Sequence, residues 1–350
     1  MNSSEKLLRE LTPDEELIPG ARNAIRCCLH VQPEEKVTLI TDQACLEIGG
    51  SLLREVESVG SRCNAFVLEE LASRPLLDMP QAVLADMESS AVSIFAVRSQ
   101  QNELRTRMQM TDVVNRRKIR HAHMVNIERR IMVEGMRADY AEVDRISTCV
   151  WQMASSAKEI RARTSAGTDI TGRFSPDLKW LKTSGIISPN KWGNLPGGET
   201  FTAPFCVNGK FVIDGVVGDY LCEKYGDLRD APLTIEVEEN RLRSASSPNK
   251  DLEAEFWQYC HTDENSDRVG EFAIGTNIAV HDVIGNILQD EKIPGIHIAF
   301  GNPYAAHTGA DWYSSTHIDV VGRKFDIWID GVQIMREGAF LLDSLAAPRV

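Results

Sequence analysis

The hydrophobic rhythm of this chain changes once, near residue 150, and that single change limits the folds open to it. Upstream, short apolar runs at 37–40, 65–68, 91–97 and 123–127 alternate with segments of helical spacing at 48–59 and at about 79–89 and 101–120. Strands separated by helices build a parallel α/β layer. Two further helices are expected in 5–30, interrupted by Pro13 and Pro19. The spacing then predicts one long helix from Asp139 to about Arg163. Beyond it lie short alternating runs and glycine turns, with hairpin turns expected at Glu239-Asn240 and Asp330-Gly331. Only two helices should interrupt them, at about 251–262 and 280–292.

At 350 residues the chain is longer than one core usually serves. We therefore expect two domains: an α/β parallel-sheet scaffold over 1–150, then a sheet-rich α+β domain over 151–350, curled or barrel-like, that carries the chemistry. The net charge of −13 opposes binding to nucleic acid and to anionic membranes. No uncharged stretch reaches the ~20 residues that span a bilayer, and no signal-peptide core opens the chain, so a cytoplasmic protein is expected. Eight cysteines without a CxxC pair argue against a zinc ribbon or a redox dithiol. GxGxxG and GxxxxGK are absent as well, so no nucleotide is signalled.

Chemistry-bearing residues concentrate between Lys292 and Val321. Ile296, Ile298 and Phe300 alternate with His297 and Ala299, and His317 and Asp319 share one parity, so an imidazole and a carboxylate point the same way from one strand. Upstream, Glu199 follows a Pro-Gly-Gly turn and Glu271 follows Gly270, settings made for tight turns and close backbone approach rather than for a solvated helix. Together, Glu199, Glu271, His297, His317 and Asp319 could form the donor set for two divalent ions about 3.5–4 Å apart. The plainer alternative is that they are polar residues on a solvent-facing sheet. HExxH is absent, so any metal site must be gathered from distant strands. His30, His121, His123, His261 and His281 have no comparable neighbours and read as ordinary surface or core histidines.

The blocks TSAGTDIT (164–171), WGNLPGGETFTAP (192–204), GEFAIGTN (270–277), DEKIPGIHIAFGNPY (290–304) and STHIDVV (315–321) resemble those of the M29 metallo-aminopeptidases. The resemblance implies a cytoplasmic, dimeric aminopeptidase acting on small peptides through a two-metal-activated water, with zinc, cobalt or manganese as the ions. Position by position it makes Glu199, Glu271, His297, His317 and Asp319 the metal ligands. It puts Tyr304 at the active site, where it could donate to the oxyanion, and either Glu199 or Glu271 could serve as general base if not fully engaged with metal. An alternative in the same superfamily resembles 2,5-dihydroxypyridine 5,6-dioxygenase, which opens an aromatic ring with one Fe(II). That branch carries histidine where this chain has Glu271, which favours hydrolysis here. The loop 302–315 departs from the pattern with an extra His307 and Asp311, leaving substrate selection open.

Overall fold

The computed structural model describes residues 2–346. Its contacts divide the chain into two compact units. The first comprises the residues up to Ala141 together with Gly185–Gly197, and the second comprises Glu142–Ser184 and the residues from Gly198 onward.

In the first unit, β1 (Lys36–Thr41), β2 (Arg62–Val67), β3 (Val92–Val97) and β4 (Arg120–Val125) lie in the order β2-β1-β3-β4, all parallel. The short strand Gly193–Asn194 joins beside β4. Helices Leu46–Ser58, Gln81–Met87 and Leu104–Arg117 supply the crossovers that parallel strands require. Burial of every residue of β3 explains its continuous apolar run, since a strand covered on both faces has no polar side to show.

The second unit begins within the helix Tyr140–Ser155. This helix is shorter than its sequence predicts: from Ser156 the apolar spacing drops to two, and Glu159–Arg163 becomes a strand paired on both sides, with Asp169–Arg173 and Asp326–Ile329. Two ladders outweigh a helical propensity that serves no packed face. The predicted helix over 280–292 also shrinks, to Ile287–Asp290. There the buried Asp290 carboxylate accepts the backbone N–H groups of Ile284, Gly285 and Asn286, which wraps 284–290 into a loop instead. The hairpin turns fall where expected, with positive φ at Glu239, Asn240, Asp330 and Gly331.

Two antiparallel sheets make up this unit, one of eight strands and one of five. The smaller runs β9-β8-β7-β6-β5, where β5 is Leu181–Thr183, β6 Glu199–Thr202, β7 Val269–Gly275, β8 Gly295–Gly301 and β9 His317–Val321. One face of each sheet contributes to a shared core: Phe272, Ile298, Phe300 and Ile318 from the smaller, Ile170, Phe211, Ile235 and Ile327 from the larger. Among the described residues no helix is long and apolar enough to cross a membrane.

Candidate metal centre

Register determines what stands on the other face of the smaller sheet. Glu271 pairs with Ala299, and Ala299 with Asp319; Ala273 pairs with both Phe201 and His297; Gly275 pairs with Glu199, and Gly301 with His317. Directly paired residues share a face, so the five predicted ligands rise from one surface, with the small Ala273, Ala299, Gly275 and Gly301 between them. Small residues between large polar ones leave a floor open above the sheet. Gly275 and Gly301 are required for a second reason: a Cβ on either would meet a backbone oxygen, of Ile293 or Thr316, at 2.0 or 2.2 Å.

The structure brings all five together. Glu271 spans both imidazoles, with Oε1 3.3 Å from His297 Nε2 and Oε2 3.7 Å from His317 Nε2. Glu199 Oε2 lies 3.6 Å from His297 Nε2, and Asp319 Oδ1 lies 3.4 Å from His317 Nε2. Glu199, Glu271, His297 and Asp319 are buried, while the His317 side chain is 22% exposed at the mouth. Three sets offer donor atoms close enough to hold an ion: Glu199–Glu271–His297, Glu271–His317–Asp319 and Glu291–His297–Asp319.

Sequence reasoning missed Glu291 and Lys292, which fall at the end of the helix expected over 280–292. Lys292 is instead 1% exposed, with Nζ 2.7 Å from Glu199 Oε1 and in contact with Glu291 Oε1. The available signal was the unbroken apolar strand that follows at once, since a chain entering a buried strand at Pro294-Gly295 must already be inside the fold. His307 and Asp311, by contrast, are exposed and belong to none of the three sets.

Electrostatics shows whether a cation fits. Burial by itself lowers the basicity of His317, but the nearby charge of Asp319, then that of Glu271, outweighs it and raises the imidazole to about 10. His297 is raised for the same reason, with Glu271 the main partner. Burial pushes the Asp319 carboxyl up, yet His317, His297 and Lys292 together bring it below its ordinary value; Glu199 is lowered likewise by Lys292 and His297. Glu291 goes the other way, to about 8, because burial and the charges of Glu199 and Asp319 exceed the pull of Lys292.

Two details fit a metal rather than protons alone. His317 Nδ1 lies 3.1 Å from the Asn302 carbonyl, which can only accept, so in the neutral ring Nε2 is a lone pair facing Glu271 and Asp319. Asp319 Oδ1 is buried without a hydrogen-bond partner among the described residues. Without an ion, the raised basicity of His317 lets a proton supply the positive centre; a divalent transition ion would displace that proton, and imidazoles with carboxylates suit one.

Tyr304 stands over this mouth in a left-handed conformation, φ 50°, at the start of the short helix Ala305–Thr308. Its ring lies 4.7 Å from that of His317 and 6.0 Å from that of Phe201. Packing there and the field of Glu271, Asp319, Glu291 and Glu199 push the phenol well above its ordinary value, although 41% of the residue is exposed.

Comparison with known proteins places these features in a family. Residues 141–333 match the sequence model for the thermophilic metalloprotease (M29) family. The fold is shared with 2,5-dihydroxypyridine dioxygenase from Pseudomonas putida KT2440, at TM-score 0.68 and 12% identity over 96% of this chain and 100% of that one. Wild-type AmpT from Thermus thermophilus shares it too, at TM-score 0.66 and 16% identity over 93% of this chain and 99% of that one. No curated protein sequence matches significantly.

Proposed function

This chain belongs to the thermophilic metalloprotease (M29) family, and from that membership we propose that it is a metal-dependent aminopeptidase that removes N-terminal residues from small peptides. The observation that carries the reading is the Glu271 carboxylate, whose two oxygens face different imidazoles and so join the Glu199–Glu271–His297 set to the Glu271–His317–Asp319 set. A shared carboxylate is what two neighbouring cations need to offset their repulsion. Zinc, cobalt or manganese ions held by these sets would polarise the scissile carbonyl and activate water for attack.

The chain's own residues do the rest. Thr183 and Lys292 both engage Glu199 Oε1, at 2.8 and 2.7 Å, leaving Oε2 as ligand or proton acceptor. The Asn302 carbonyl orients His317. Tyr304 keeps its proton and so can donate to the oxyanion that forms as the carbonyl is attacked. The ring-opening alternative draws support from the fold shared with the Pseudomonas dioxygenase. A mononuclear iron site, however, uses two histidines and one carboxylate, whereas four carboxylates surround the histidines here.

The test uses protein stripped of metal and reloaded with zinc, cobalt or manganese, presented with peptides whose amino terminus is free or acetylated. Cleavage of the first residue from the free peptide alone is expected. Equal cleavage of the acetylated peptide would refute exopeptidase action. Oxygen uptake with a dihydroxypyridine, only in the Fe(II) form, would put ring cleavage in its place.

A further inference from the structure

Lys292 is the residue whose setting the reaction does not explain. It is among the largest fully buried side chains of the protein, and its rotamer-rich stem is immobilised at an entropic cost. The backbone around it is pinned: its N–H donates to the Gln289 carbonyl at 2.8 Å, and its carbonyl accepts from Asn277 N–H at 3.0 Å. The loop that carries it lies so close over β7 that a Cβ at Gly275 would sit 2.0 Å from the Ile293 oxygen and 3.0 Å from the Lys292 carbonyl carbon. The ammonium thus arrives at one place, between Glu199 Oε1 and Glu291 Oε1.

That place decides which donors remain. Of the three ion-holding sets, one depends on Glu291 and another on Glu199. Lys292 engages Glu291, and it occupies only one oxygen of Glu199, leaving Oε2 turned toward His297. We propose that Lys292 is a built-in monovalent cation that fills the place of a third divalent ion, restricting the centre to the Glu199–Glu271–His297 and Glu271–His317–Asp319 sets and letting the unit fold without metal. The proposal rests on the metal-centre reading above and adds to it a reason for the ion count. Charge supports it. Glu199, Glu271, Glu291 and Asp319 bring four carboxylates to two imidazoles, and the Lys292 ammonium is held between two of the four, Glu199 and Glu291. Without Lys292, Glu199 and Glu291 lose the cation between them, in a setting too dry for solvent to replace it.

The experiment compares metal-stripped wild-type protein with Lys292→Met, which keeps the length of the stem and removes the charge, and with Lys292→Met combined with Glu291→Gln, which also removes the anion left unpaired. Each is titrated calorimetrically with Mn²⁺ and with Zn²⁺, and each is melted with and without the ion. Wild type should saturate at two ions. Lys292→Met should melt lower when stripped, recover on adding the ion, and either take up a third ion or bind at least ~10-fold tighter, as expected when a unit charge is lost at such short range. The double variant should regain stripped-state melting temperature and return to the wild-type ion count. Wild-type ion count and affinity in Lys292→Met would overturn the proposal. So would a double variant that melts lower than the single one, because Lys292 would then only be filling space. If wild type binds no divalent ion, the metal-centre reading fails by itself, and the stripped melting curves still decide whether Lys292 is the internal counter-cation.

Discussion

Each unit of this protein buries a pair of histidines, and the two pairs behave in opposite ways. In the first unit His121 and His123 stand side by side on β4, with His121 Nδ1 2.8 Å from Ser93 Oγ and Nε2 3.3 Å from His123 Nδ1. Phe95 stacks on His123 and Trp192 covers both rings. Burial dominates, moving the His121 pKa down to about 3 and holding that of His123 well below its ordinary value, aided by the charges of His121 and Arg107. In the second unit His297 and His317 are held as firmly, but among carboxylates that raise both. Burial alone lowers the basicity of a histidine; burial beside carboxylates raises it, the setting in which a cation could also be held.

The largest expected effect breaks the comparison at the aromatic neighbours. Trp192 packs on its pair through its ring, whereas the role proposed for Tyr304 requires its hydroxyl. Tyr304→Phe should keep fold and metal content and lose roughly 10²–10³ in turnover. A variant retaining half of wild-type turnover would reduce Tyr304 to the same packing role as Trp192.

Next comes removal of a donor. Alanine at Glu271, His317 or Asp319 should weaken metal binding by at least ~10-fold, since even outer-shell losses cost that much. Elemental analysis after dialysis reads this directly, and full occupancy in all three variants would dissolve the distinction between the pairs.

A smaller effect separates the pairs by pH. The His121 pKa in the fold, about 3, lies below the ordinary ~6.5, so the unfolded chain takes up the proton first. Its contribution is complete above pH ~6.5 and declines as pH falls toward 3, by up to ~1.4 kcal/mol per pH unit. Denaturant midpoints of wild type should therefore fall between pH 7 and 5, and His121→Gln should flatten that slope. An equal slope in the variant would mean that other groups cause the acid sensitivity.

The smallest effect sharpens the comparison from the other side. His123→Phe keeps a stacked ring beside Phe95 and should leave metal stoichiometry unchanged. A lost ion in that variant would show the first pair to be less inert than its surroundings indicate.

Part of this was legible in the residues alone. Parity along one strand put His317 and Asp319 on a common face, and the alternation in 296–300 put His297 opposite the core-facing isoleucines. Asp330-Gly331 announced its turn because left-handed backbone is cheap for those residues. The helices over 139–163 and 280–292 come out shorter for different reasons: local spacing cannot weigh a ladder partner, such as Asp326–Ile329, that lies more than 150 residues away, nor the Asp290 carboxylate that wraps 284–290 into a loop.

What the sequence by itself determined was therefore the kinds of donor and their facing, because those follow from the two-residue period of a strand. The tertiary structure alone decided which donors meet. Glu271 sits across Ala299 from Asp319 only through the register of three strands, and Lys292 reaches Glu199 only because Gly275 lets the 290–294 loop lie against β7. Register and close backbone approach are set by packing over long sequence separations, and no local pattern encodes them.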